Sequence, residues 1–118
     1  MKGVLFCTLC FSVFFASCEW VTVEPVEVII PDKPISFASD IQPIFTSKCD
    51  QCHPSQAGLD LTDGNAWASI NDGRLNLTAP NQSLIYTKPD PNGTHPEKYS
   101  ATESLLVLTW IEEGALDN

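Results

Sequence analysis

The feature that most constrains this chain is Cys49-Asp50-Gln51-Cys52-His53, two thiols three positions apart with an imidazole directly after the second. Three reactive or metal-binding side chains in five residues demand a turn that presents them together. The rest of the chain must fold around whatever they hold. With 118 residues there is room for one domain. A domain of that size has a modest core and often leans on a disulfide, a metal or a cofactor.

The N-terminus reads as an address. Met1-Lys2 is a short positive start, and Gly3 to Phe15 is an apolar run too short to span a membrane comfortably. Phe15-Ala16-Ser17-Cys18 resembles the lipobox of bacterial lipoproteins, with Phe where Leu is usual. The resemblance implies that residues 1–17 are a signal peptide and that Cys18 is lipid-modified. An ordinary secretory leader cut near the same place is the alternative. Either way the chain is expected to leave the cytoplasm, on the periplasmic side or in the cell envelope, anchored to a membrane through its lipid. Five cysteines suit no disulfide framework. Cys7 and Cys10 fall in the leader, Cys18 takes the lipid, and Cys49 and Cys52 remain as one pair.

That pair and His53 form C-x-x-C-H, the attachment signature of c-type haem. Thiols three positions apart on a turn can reach the two vinyl groups on one edge of a porphyrin. The histidine after the second thiol can then swing its imidazole under the iron. Maturation needs reduced thiols and follows export, in keeping with the leader. Two other chemistries compete. A zinc site needs four ligands, and after the leader only Cys49, Cys52, His53 and His95 are good candidates. A thioredoxin-like redox pair needs a βαβ context that the sequence lacks.

Residues 18–34 read as a tether, because Pro25, Pro31 and Pro34 prevent a helix and discourage a central strand. Trp20 to Val23 alternate as a short edge strand would. Ser36 to Lys48 is expected to be helical, with Phe37, Ile41, Ile44 and Phe45 at helical spacing and Ser39 with Gln42 fitting a capping box. Pro43 would kink that helix if Ser36 caps it instead. Short helices are expected from Thr62 to Asp72-Gly73 and from Asn81 to Thr87, and a loop from Lys88 to Glu97. Ser100 to Gly114 carries the clearest helix signal, with a Ser100–Glu103 capping box and a glycine stop.

The run Phe37-Ala38-Ser39-Asp40-Ile41-Gln42-Pro43-Ile44-Phe45 followed by C-x-x-C-H resembles the opening helix of small bacterial exported cytochrome c domains. Gly58-Leu59-Asp60-Leu61, Ser83-Leu84-Ile85-Tyr86 and Trp110-Ile111-Glu112-Glu113-Gly114-Ala115 are similar to later parts of the same family. The resemblance covers residues 35–118. It implies a mostly α, class I cytochrome c-like fold, with the first and last helices packed across each other around a haem cleft. One haem c would be covalently bound through Cys49 and Cys52, with His53 as proximal iron ligand. Phe45, Leu59, Trp67 and Trp110 read as core or haem-pocket residues, and with Ile41 they are expected to line the haem pocket.

Many such cytochromes use a methionine sulfur as sixth ligand, and Met1 is the sole methionine here. His95 is the other histidine, 42 residues after His53 and in the loop where the family's distal ligand usually falls. It is therefore the expected distal ligand, with Lys88, Lys98 and Tyr99 as remote alternatives and an open or water-bound iron as the bland one. The expected function is single-electron transfer between exported redox partners, not catalysis. A haem sensor or weak peroxidase with a labile sixth ligand is the rival, and a zinc-stabilised structural domain is a third reading. The formal charge of −9 disfavours nucleic acid and favours a basic protein partner.

Overall fold

The computed structural model describes Ile30 and residues 32–118. The leader, Cys18 and most of the tether, including Trp20 to Val23, lie outside the described residues. Within them the protein is helical and contains no strand. Four α-helices are present: α1 Gln42–Lys48, α2 Ala66–Asn71, α3 Leu84–Thr87 and α4 Ala101–Glu112. Short 3-10 turns lie at Gln56–Gly58 and Pro80–Gln82.

The first helical segment is broken where Pro43 falls. Phe37–Ile41 forms a π-helical turn, and the Gln42 N–H reaches back to the Phe37 carbonyl before α1 begins. Pro43 has no N–H to give, so it is accommodated in the first turn of α1, and the wider turn before it absorbs the change of register. Ser36 is the cap, its hydroxyl accepting from the Ser39 N–H at 3.3 Å, while its own N–H donates to Asp40. The Ser39–Gln42 capping box does not form. Gln42 is buried, and its amide donates to Thr46 Oγ1 and to the Leu61 carbonyl, each at 3.2 Å. A buried amide gains more from a satisfied long-range partner than from an exposed cap.

At α4 the local reading and the structure agree. The Ser100 hydroxyl accepts from Glu103 N–H, and the Glu103 carboxylate accepts from Ser100 N–H, a reciprocal capping box. The helix stops at Gly114 and Ala115, both at positive φ, and the Ala115 N–H closes on the Trp110 carbonyl. This reversal brings the end of the chain onto the first helical segment. Asn118 accepts from the Phe37 and Ala38 N–H groups, and Glu113 from the Ile35 N–H. Donors that a helix start leaves unpaired are thereby satisfied.

The first and last helical segments pack against each other. The Phe37 ring lies 5.2 Å from Trp110 and 6.3 Å from Phe45, all three buried with Ile41, Val107 and Ile111. Burial of each such side chain contributes on the order of 1.5–3 kcal/mol. The two helices thus hold together the two ends of the segment that carries the site, since α1 runs into Cys49 and α4 follows the His95 loop.

Candidate functional site

Directly after α1 the chain turns tightly. The Cys49 carbonyl accepts from both the Cys52 and His53 N–H groups, at 3.1 and 2.9 Å, and the His53 carbonyl accepts from Leu61 N–H at 2.6 Å. Cys49 is buried and Cys52 exposed, and both are free thiols. Burial is the largest effect and, with smaller ones from Glu97, Asp50 and Glu103, prevails over nearby Lys48 to push the Cys49 thiol up to about 11. A neutral thiol there is a poor nucleophile, the opposite of what a dithiol oxidoreductase needs.

A second segment meets this turn. The loop from Pro89 to Tyr99 is closed by the Tyr99 N–H on the Pro89 carbonyl and by Gly93 N–H on Asp90. Lys48 ties α1 to it, donating to the Lys98 carbonyl and, at 2.6 Å, to Glu103. Burial opposes ionisation of Glu103, but hydrogen bonds from Lys48 and from Ser100 prevail, so its carboxyl sits below the ordinary value. The loop carries His95 to a position opposite His53. The two imidazole centroids are 6.1 Å apart with planes 15° from parallel.

Each imidazole is anchored from behind. His53 Nδ1 lies 3.1 Å from the Gln56 carbonyl and His95 Nδ1 lies 2.6 Å from the Glu97 carbonyl. A carbonyl oxygen only accepts, so in the neutral form of either ring the proton belongs on Nδ1 and the lone pair on Nε2. This is the arrangement that metal-ligating histidines adopt, with one nitrogen held by a carbonyl and the other left for the metal.

The two histidines and Cys49 line a cleft of about 460 Å³, within the roughly 300–1,000 Å³ typical of cofactor sites. Its walls are mostly apolar, from Leu59, Leu61, Leu84, Ile85 and Tyr99. The apolar lining and the separation of the two imidazoles match a haem in distance and character. Two metal–nitrogen bonds of about 2 Å each, plus the half-width of each ring, span roughly 6 Å, close to the observed separation of the imidazoles. Among the described residues, no three His, Cys, Asp or Glu side chains converge as a metal-ion site. A haem supplies four ligands itself and asks the chain for only two.

Several expected pocket residues lie elsewhere. Leu59 lines the cleft, but Ile41, Phe45 and Trp110 do not; they are buried between the first helical segment and α4. Trp67 donates its indole N–H to the Ala115 carbonyl and borders a separate smaller cavity. Ile41, Phe45 and Trp110 are spent instead on the core where the Phe37–Ile41 turn packs against α4. Cys52, exposed, is not among the cleft's lining residues. Tyr99 is spent otherwise than as a ligand, its hydroxyl donating to the Ile85 carbonyl in a buried bond. Leu61 and Ile85 carry no sequence signal for a pocket beyond the flanking motifs in which they sit, and Tyr99, named only as a remote ligand, lines the cleft instead.

No family model matches the chain. It is 32% identical over 107 residues to the hydrazine synthase subunit alpha of Kuenenia stuttgartiensis, a match that takes in 86% of this chain. The chain spans 13% of the length of that curated relative. No solved structure matches.

Proposed function

We propose that this protein is an exported monohaem c-type cytochrome with a class I cytochrome c-like fold, carrying single electrons between redox partners. The observation that carries the reading is the pair of imidazoles, His53 and His95, brought to 6.1 Å in one apolar cleft, each with Nδ1 on a main-chain carbonyl, His53 directly following two free thiols in C-x-x-C-H spacing. Cys49 and Cys52 would hold the group covalently, and His53 and His95 would supply its iron ligands. When bound, the haem iron cycles between Fe(III) and Fe(II), which is the chemistry the chain itself cannot supply. The protein's share is to fix the two nitrogens, to orient them through the Gln56 and Glu97 carbonyls, and to surround the macrocycle with Leu59, Leu61 and Ile85. Two held imidazoles change little on electron transfer, which suits a carrier. Export, lipid attachment at Cys18 and an attraction to basic partners complete the reading.

The test is production of the full chain with a haem-attachment system, followed by a denaturing gel stained for haem. The intact band should stain, and joint Cys49→Ala and Cys52→Ala substitution should abolish the stain. A colourless wild-type band after competent maturation would refute the proposal. Rapid carbon monoxide binding by the reduced wild type would move the sensor or peroxidase reading ahead.

A further inference from the structure

Arg74 is the sole arginine of the chain, and it lines the cleft. Among the described residues it has no carboxylate within ion-pair distance; the pairs present are Lys33–Asp40 and Lys48–Glu103. All its contacts are to main-chain carbonyls. One terminal nitrogen donates to Ser69 and Asp72, at 3.2 and 2.9 Å, at the end of α2. The other donates to Ala57 and Gly58, at 3.1 and 2.8 Å.

The second pair sits in an unusual stretch of backbone. Ala57 and Gly58 are both left-handed, with φ of 58° and 65°. An alanine adopts that conformation only when its surroundings hold it there. Both carbonyls meet the same guanidinium nitrogen, so Ala57, strained, and Gly58, which takes this conformation freely, direct their oxygens to one side, where one arm of the planar fork collects them. The residue immediately before them is Gln56, whose carbonyl holds His53 Nδ1.

We propose that Arg74 is a positioning residue for His53. Its fork pins the 56–58 turn to the end of α2, and the pinned turn presents the Gln56 carbonyl to the imidazole. Without the fork the left-handed pair relaxes, the Gln56 carbonyl turns away, and the His53 ring loses the partner that sets its tautomer and tilt. A lysine cannot replace it, because an ammonium offers a point charge where four carbonyls require a flat, divergent set of donors. The inference rests on the reading of His53 as an iron ligand, and the role is orientation, with no contact to the reacting atom.

The test follows the two histidine Nδ1 protons by nuclear magnetic resonance in the full chain, made with a haem-attachment system and reduced. In Arg74→Ala and Arg74→Lys, solvent exchange of the His53 Nδ1 proton should quicken about tenfold, the effect of losing one hydrogen bond. The His95 proton, held by Glu97 on the other side of the cleft, should keep its wild-type rate. Unchanged exchange at His53 in the lysine variant would overturn the proposal. So would equal acceleration at both histidines, the mark of general loosening. Should the alanine variant fail to fold, the lysine variant decides. A wild-type chain that takes up no haem would refute the cofactor reading separately, and the same His53 proton, followed in that haem-free chain, still answers for Arg74.

Discussion

Glu103 joins the two halves of the site, and its replacement separates two effects that the structure superimposes. Its carboxylate accepts from Lys48 at 2.6 Å and from the Ser100 N–H at 2.6 Å, so one side chain closes the α4 capping box and ties α4 to the end of α1. Glu103→Gln keeps an oxygen for the Ser100 N–H, since glutamine also completes a capping box. It loses the charge-assisted bond to Lys48, whose two side chains are 30% and 20% exposed. That places the cost at about 0.5–1.5 kcal/mol. Glu103→Ala loses both bonds and should cost about 2 kcal/mol. For a domain this small each kcal/mol lowers Tm by about 4–8 °C. Thermal unfolding of the full chain followed by circular dichroism should therefore rank wild type above Gln above Ala at neutral pH. The carboxyl's folded pKa lies below the ordinary 4.5. Its contribution is thus full above pH 4.5 and is lost as pH falls through the folded value. The gap between wild type and Gln should accordingly narrow in acid, where the glutamine does not titrate. Equal melting at neutral pH, or a gap that persists undiminished in acid, would refute the reasoning.

His95→Ala should leave the haem attached but turn the iron high-spin and admit carbon monoxide rapidly in the reduced form; an unchanged low-spin spectrum would remove His95 from the ligand set. With two nitrogen ligands the wild type should show a reduction potential below that of methionine-ligated relatives. Trp110→Ala empties the centre of the seam between α4 and the first helical segment, and should cost about 3–5 kcal/mol in denaturant unfolding; a loss below 1 kcal/mol would contradict its complete burial. Labelled fatty acid should enter the wild type and not Cys18→Ser, and equal labelling of both would leave plain secretion.

The parts of this protein that were legible in its sequence are those decided within a few residues. The α4 capping box needs only Ser100, Glu103 and a helix between them and Gly114, and it forms as read. The Cys49–His53 turn is likewise local, closed on the Cys49 carbonyl. Pro43 announced a break near the start of α1, because a missing N–H is a property of the residue itself. What the sequence left open is how that break is absorbed. The choice of Ser36 over Ser39 as cap follows from Gln42 being buried against Leu61, a partner 19 positions away.

Tertiary structure alone decided the site's geometry. Composition nominated His95 by eliminating methionine, but nothing in a loop of prolines and glycine states that its ring will stand 6.1 Å from His53. That depends on Lys48 and Tyr99 tying the loop at both of its flanks. Phe45 and Trp110, expected around the haem, belong instead to the helix seam, because helical spacing tells which side chains share a face and not what that face will meet. Arg74 is the clearest case. Its four acceptors are main-chain carbonyls in two segments, and a carbonyl is present at every residue, so no pattern of side chains marks them. Side-chain identity sets which groups are available within a turn of the chain; which of them converge is settled only when distant segments pack.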